Sequence, residues 1–161
     1  MRYALITVGF LAGCGSLDVP SGTWNTTSQT FVESTCLADG QTIADLDVNP
    51  TPFLLDVNDE DDTFTLDLSS GGDTVIIECA RDGNSWNCPA LTYEVEFSAD
   101  PPGKMVITVA MDGEFTSETT MAGNQHIKTD CEGESCVDIE DYLGYALPCD
   151  SDLTFEAEFA E

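Results

Sequence analysis

Apolar and polar residues alternate with a period of two along most of the chain from Thr23 onwards. The alternation is clearest in residues 64–68, 93–97 and 155–159, where apolar positions are separated by Thr, Asp or Glu. This pattern is typical of antiparallel strands with one buried and one solvated face. Nine strands are predicted, over residues 24–34, 53–57, 63–68, 74–80, 91–97, 105–111, 114–121, 125–129 and 153–159.

Short segments rich in Gly, Pro and Asn separate the predicted strands and supply the backbone conformations of tight turns. The strongest hairpin signal is Asp112-Gly113, which lies between two alternating segments. Residues 131–148 interrupt the alternation, and residues 137–143 are compatible with a short helical turn. The other predicted turns are Gly71-Gly72, Asp82-Gly83-Asn84, Pro101-Pro102-Gly103 and Gly123-Asn124.

The predicted fold is therefore all-β. Sequential hairpins make an antiparallel up-and-down meander, and eight to nine short strands form either a closed barrel or a sandwich.

The first residues have the layout of a secretory signal. One positive charge, on Arg2, precedes an uncharged, mostly apolar run over residues 4–12, which ends at Gly13-Cys14. Nine helical residues span only about 13 Å, whereas a bilayer core is about 30 Å thick. The run is therefore too short for a transmembrane helix.

The end of this run, Leu11-Ala12-Gly13-Cys14, resembles the lipobox of bacterial lipoproteins. The resemblance implies a diacylglyceryl thioether on Cys14, cleavage after Gly13, and acylation of the new amino terminus. The following Gly15-Ser16 is similar to an outer-membrane sorting signal. The expected organisation is a signal peptide over residues 1–13, a lipidated tether over 14–21 and a single β domain over 22–161.

Cysteine parity agrees with lipidation of Cys14. The chain has seven cysteines, and removing Cys14 leaves an even set, as expected of a disulfide framework in an exported protein. That set consists of Cys36, Cys79, Cys88, Cys131, Cys136 and Cys149.

One disulfide is predicted from strand register. A two-residue turn at Gly83-Asn84 places Cys79 opposite Cys88, at a separation that a disulfide can bridge. A turn centred on Asp82-Gly83 would instead place Cys79 opposite Trp86. The other four cysteines allow three pairings, among which we favour Cys131–Cys136 with Cys36–Cys149.

The charge balance limits the partners. The sequence contains 31 acidic residues, 4 Lys or Arg and a formal net charge of −27. Such a surface repels the phosphate backbone, so nucleic-acid binding is not expected. Scattered carboxylates are typical of a solvated surface, although a divalent cation or a basic protein are alternative partners.

Few residues indicate metal binding or catalysis. Residues 56–62 form the densest acidic run and could hold Ca²⁺, but Asp61 replaces the Gly of an EF-hand loop. Cys131 and Cys136 have a spacing that zinc sites also use, and disulfides are favoured in an oxidising compartment. His126 is the sole imidazole, and no nucleophile motif accompanies it. We therefore expect no catalytic residues, no metal site and no obligatory cofactor.

The tripeptide Gly22-Thr23-Trp24 resembles the G-x-W signature that opens the first strand of lipocalins. The resemblance implies an eight-stranded barrel with an apolar cavity, in which Trp24 closes the barrel floor. The chain departs from the family because no Arg follows Arg81 to pack on that tryptophan.

The sequence thus favours a membrane-anchored, exported, non-catalytic binding or envelope module. The alternatives are a calcium-dependent adhesion module and an acidic inhibitor of a basic protein.

Overall fold

A computed structural model of the chain describes residues 16–46, 51–68, 75–97 and 103–160. Eight antiparallel strands follow one another around a closed barrel, with the last strand paired to the first. The predicted all-β meander is confirmed, and of its two predicted forms the barrel is correct. The strands are β1 (Gly22–Ser34), β2 (Phe53–Asn58), β3 (Thr63–Asp67), β4 (Ile76–Asp82), β5 (Ser85–Phe97), β6 (Gly103–Ser117), β7 (Thr120–Gly133) and β8 (Cys149–Phe159).

The wall of the barrel has two heights. Strands β5 to β8 and β1 contain 11 to 15 residues each, whereas β2, β3 and β4 contain 5 to 7. The short strands reach only the half of the barrel near Gly22. We call this the closed half, and the half where only the long strands continue the open half.

Two prolines explain where the short strands leave their neighbours. β1 pairs with β2 only over residues 22–24, and this pairing ends at Phe53, directly after Pro52. β4 and β5 pair only around the turn, and β5 then bulges where Pro89 follows Cys88. Because proline has no N–H to donate, it interrupts a ladder of hydrogen bonds. The open half is therefore wide on the β2–β4 side.

Edge-to-face aromatic packing fills the closed half. Trp24 is fully buried, and its ring centroid lies 6.1 Å from that of Phe115. Phe64 packs on both Phe115 and Trp86, at 5.5 and 5.9 Å. Rings at such distances and angles gain about 0.5–1.5 kcal/mol each beyond the area they bury.

The chain before β1 covers the outer end of this closed half. Val19 is only 4% exposed and belongs to the core, and Leu17 is partly buried against it. The Leu17 N–H donates to Asn84 Oδ1 at 3.2 Å, and the Val57 N–H donates to Ser21 Oγ at 2.8 Å. Residues 16–21, which the sequence assigns to a polar tether, thus pack on the barrel because Leu17 and Val19 are apolar.

Arg81 secures the same end. Its side chain is 5% exposed, and its guanidinium lies 5.1 Å from the centroid of the Phe115 ring. It donates hydrogen bonds to the carbonyl oxygens of Leu17 and Gly83. A desolvated guanidinium over an aromatic ring is worth about 2 kcal/mol, so Arg81 joins the covering segment to the aromatic core.

Three disulfides hold the barrel, in the pairings favoured from the sequence: Cys79–Cys88, Cys36–Cys149 and Cys131–Cys136. The turn at Gly83-Asn84 is also confirmed, because Asp82 pairs with Ser85 and Arg81 with Trp86. Gly83 has a φ of 62°, which explains why glycine occupies the turn.

The predicted hairpin at Asp112-Gly113 is wrong. Both residues lie inside β6, where Gly113 pairs with Trp86 of β5 and with Gly123 of β7. The predicted turn at Gly123-Asn124 is wrong for the same reason, since both residues lie inside β7. The predicted strand over 105–111 and most of the predicted strand over 114–121 therefore form a single strand, β6, and the last residues of the latter begin β7. The number of strands is eight rather than nine.

The actual turn between β6 and β7 is formed by Glu118 and Thr119, because Ser117 pairs with Thr120. Gly113 and Gly123 instead leave space for aromatic rings. A Cβ on Gly113 would lie 2.5 Å from Trp86 Cζ2, and one on Gly123 would lie 2.8 Å from the Phe155 ring. Two of the predicted turns, at 71–72 and 101–102, lie outside the described residues.

The short helical turn expected at 137–143 is present as helix α1, Cys136–Leu143, and a 3-10 helix spans Ile43–Asp45. Ile139 is the buried residue of α1 and lies beside Gly103 at the start of β6. Neither helix within the described ranges is long enough and apolar enough to cross a membrane.

Candidate functional site

The open half of the barrel contains an apolar cavity with two lobes. We call the first the β1 lobe. It has a volume of about 390 Å³ and is lined by residues of β1, β2, β3, β6, β7 and β8. Its apolar lining includes Phe31, Phe53, Leu66, Ile127 and Leu153.

The second lobe lies at the gap between β4 and β5, and we call it the β5 lobe. It has a volume of about 660 Å³ and is lined by Ile77, Leu91, Tyr93, Val95 and Val109. Tyr93 and Val95 are 40% and 38% exposed, so this lobe opens to solvent where β5 has left β4.

Leu68 and Gln125 border both lobes, so the lobes are adjacent. Small-molecule sites in proteins typically have volumes of about 300–1,000 Å³, a mostly apolar lining and a few polar groups. The cavity has these properties.

Two glutamines, together with Thr26 and Thr51, supply polar groups to the β1 lobe. Gln29 of β1 and Gln125 of β7 line the β1 lobe, and Gln29 Nε2 donates to Gln125 Oε1 at 3.4 Å. Each amide can make four hydrogen bonds, and this contact uses one from each. Amide groups that can both donate and accept hydrogen bonds therefore face a mostly apolar space.

Tyr93 adds a further polar group at the rim of the β5 lobe. Burial raises the pKa of its hydroxyl above the ordinary value of 10.0. Tyr93 is consequently a neutral hydroxyl at physiological pH and can donate or accept a hydrogen bond.

None of these polar residues is predicted from the sequence. Gln125 occupies an inward position of β7, in phase with the buried Met121 and with Ile127. A polar side chain at an inward position of an apolar strand is the signal that could have marked it. Gln29 follows a bulge in β1 between Thr26 and Ser28, and this bulge shifts the alternation and conceals the signal there.

The acidic run at residues 56–62 lies at the closed end, away from the cavity. Its turn is held internally, because Asn58 Nδ2 donates to Asp61 Oδ2 and the Glu60 N–H donates to Asn58 Oδ1. Among the described residues, no group of three His, Cys, Asp or Glu side chains is placed to hold a metal ion.

His126 lies on the outer face of β7. Its Nδ1 is 2.7 Å from Asp152 Oδ1 and its Nε2 is 3.5 Å from Asp150 Oδ1. Both ring nitrogens therefore face carboxylates of β8. Within the part of the chain that the structure describes, no hydroxyl or thiol is hydrogen-bonded to His126, so a nucleophile activated by this imidazole is not present there.

A polar groove of about 400 Å³ also crosses the outer face above Gly113 and Gly123. It is bordered by Asp112, Glu114 and Glu156. These side chains are solvated carboxylates, and the groove resembles the rest of the acidic surface.

The predicted lipidation site, Cys14, lies outside the described residues. The six other cysteines form three disulfides with one another, and the chain contains seven. No other cysteine in the chain is therefore free to bond with Cys14.

Comparison of the chain with protein-family models, curated proteins and solved structures finds no match. The site is therefore interpreted from its own geometry.

Proposed function

We propose that this chain is an exported, membrane-anchored lipoprotein whose barrel binds a small apolar ligand without chemically changing it. The observation that carries the proposal is the two-lobed cavity of the open half. Its lining is mostly apolar, and its glutamine pair offers hydrogen bonds to a ligand. Burial of a ligand's apolar surface contributes about 25 cal/mol per Å² before the costs of association.

The anchor is supported by the sequence before the barrel and by the cysteine count. Leu11-Ala12-Gly13-Cys14 follows the apolar run, and the disulfides account for all cysteines except Cys14. Two or three acyl chains give a stable anchor, whereas one gives marginal binding. The outer membrane is the proposed location, from Gly15-Ser16.

Acylation would also orient the barrel. Cys14 lies two residues before Ser16, and an extended chain spans at most about 3.5 Å per residue. Because residues 16–21 cover the closed end, lipids on Cys14 would hold that end beside the membrane. The cavity would then open on the side away from the anchor.

Binding can be tested with N-phenyl-naphthylamine, a neutral apolar dye that fluoresces strongly when it leaves water. We expect saturable binding to the purified mature chain. An Ile127→Trp variant should bind the dye about tenfold more weakly, or not at all, because the indole occupies the β1 lobe.

The matched control is Val32→Trp. Val32 lies on β1 with 60% of its surface exposed, so the added indole should leave dye affinity unchanged. Thermal melting would confirm that both variants fold. Absence of dye binding by the unmodified chain, or equal affinities in both variants, would contradict the proposed cavity site.

A further inference from the structure

Among the described residues, no basic side chain lines either lobe of the cavity. The sequence has four Lys or Arg residues and one His. Arg2 belongs to the predicted signal peptide, and Arg81 is buried at the closed end. Lys104 Nζ lies 2.6 Å from Glu94 Oε1 and 3.1 Å from Glu132 Oε2.

The other two basic residues lie on the outside of the barrel. His126 faces Asp150 and Asp152. Lys128 follows it by two positions on β7 and shares its outward face. The segments 47–50, 69–74 and 98–102 contain three aspartates and no basic residue, so they cannot supply a cation either.

Apart from Glu94 and Glu96 at the β5 lobe, the polar side chains that line the cavity are neutral. Gln29, Gln125 and Tyr93 can exchange hydrogen bonds with a hydroxyl, carbonyl or amide. Glu94 and Glu96 border the β5 lobe. Lys104 pairs with Glu94 and with Glu132 outside the lobe, so Glu96 is the carboxylate that would attract a positive group at the opening. An ionised carboxylate or sulphate inside the lobes would contact no basic side chain, and burial of an unpaired charge is strongly unfavourable.

The net charge of the protein also disfavours anionic ligands. The formal net charge is −27, and a field of one sign repels ligands of that sign as they approach. Both the lining of the cavity and the net charge of the protein thus disfavour an anionic ligand.

We infer that the cavity accepts neutral or cationic amphiphiles and excludes anionic ones, a selectivity that rests on the proposed binding function. The apolar part of the ligand occupies the two lobes. A neutral polar group bonds to the Gln29–Gln125 pair, or a cationic group lies at the opening near Glu96.

Three ligands with the same alkyl chain and different head groups test this selectivity: dodecanol, dodecyltrimethylammonium and dodecanoate. Each would be used below its micelle concentration at a pH where dodecanoate is ionised, to displace bound N-phenyl-naphthylamine. Dodecanol and dodecyltrimethylammonium should displace the dye. Dodecanoate should be at least about tenfold weaker, as expected for a head group without a partner.

A charge-reversal variant connects the selectivity to the cavity. Gln125→Lys places a cation between the two lobes and should strengthen dodecanoate binding about tenfold. Val32→Lys adds the same charge on the outer face and should leave it nearly unchanged. Gln29→Lys serves the same purpose if Gln125→Lys does not fold.

The outcomes separate the selectivity from the binding function. Equal displacement by dodecanoate and dodecanol would overturn the charge selectivity and leave the binding function standing. Equal gains from Gln125→Lys and Val32→Lys would overturn the assignment of selectivity to the cavity. Failure of the dye to bind the unmodified chain would overturn the proposed function itself.

Discussion

An alanine in place of Gly113 should destabilise the barrel by at least about 3 kcal/mol, at the upper end of what overpacking costs. The added Cβ would lie 2.2 Å from the backbone oxygen of Ala122 and 2.7 Å from the Cα of Gly123. These atoms belong to the adjacent strand β7 and cannot rotate away. The Trp86 ring, at 2.5 Å, would also have to move within the aromatic core.

The matched control is Gly40→Ala. Gly40 has a φ of 82°, and no neighbouring atom lies within 4 Å of the position that a Cβ would take. This change therefore costs backbone strain alone, about 1–2 kcal/mol. Urea denaturation followed by circular dichroism gives both values. Equal losses of stability in the two variants would contradict the packing role assigned to Gly113.

Removal of the Cys36–Cys149 disulfide should cost about 5 kcal/mol, the second large effect. The two cysteines are 113 residues apart in sequence, and the entropy of the unfolded chain that a cross-link removes grows with the length of the loop it closes. The disulfide joins the chain just after β1 to the start of β8, at the open half. In the unfolded state of a Cys36→Ser, Cys149→Ser double variant, the chain from β2 to β7 is therefore no longer closed into a loop.

The corresponding double variant of Cys131 and Cys136 provides the comparison. These residues are 5 apart, and the same relation gives a loss of only about 2 kcal/mol. Both pairs join a strand of the open half to a connecting segment, so the comparison isolates loop length. A loss for the short disulfide equal to or larger than that for the long one would contradict this explanation.

The sequence predicts those parts of the fold that depend on local pattern. Alternation identifies the strands that line the barrel, and the Gly83-Asn84 turn fixes the register that opposes Cys79 to Cys88. Both signals lie within a few residues of the structure they determine. For this reason the all-β meander and the first disulfide could be derived from the sequence alone.

Other features depend on residues far apart in the chain. Asp112-Gly113 has the composition of a hairpin turn, but Gly113 is glycine because Trp86, on β5, occupies the space where its side chain would lie. Locally the sequence favours a turn, and packing from the neighbouring strand favours a continuous β6. Tertiary packing decides the outcome.

The candidate site is less predictable than the fold. Gln29 and Gln125 are 96 positions apart, and only the closed barrel brings them together. Pro52 and Pro89 lie where the pairing of the short strands ends, and among the described residues no short strand continues beside the long strands in the open half. A proline within a strand indicates an interrupted ladder, but the space that results depends on the heights of all eight strands.

The covering of the closed end is also not predicted from the sequence. The sequence assigns residues 14–21 to a tether, whereas in the structure Val19 is buried and Leu17 is partly buried against the core at the closed end. This packing matters for the proposed anchoring, because it leaves little free chain between Cys14 and the barrel.

The most direct test of the proposed lipoprotein is the intact mass of the protein isolated from a membrane fraction. We expect a chain that begins at Cys14, carries the mass of a diacylglyceryl group and an amide-linked acyl chain, and lacks six hydrogens for its three disulfides. An unmodified chain that begins at Met1 would contradict it.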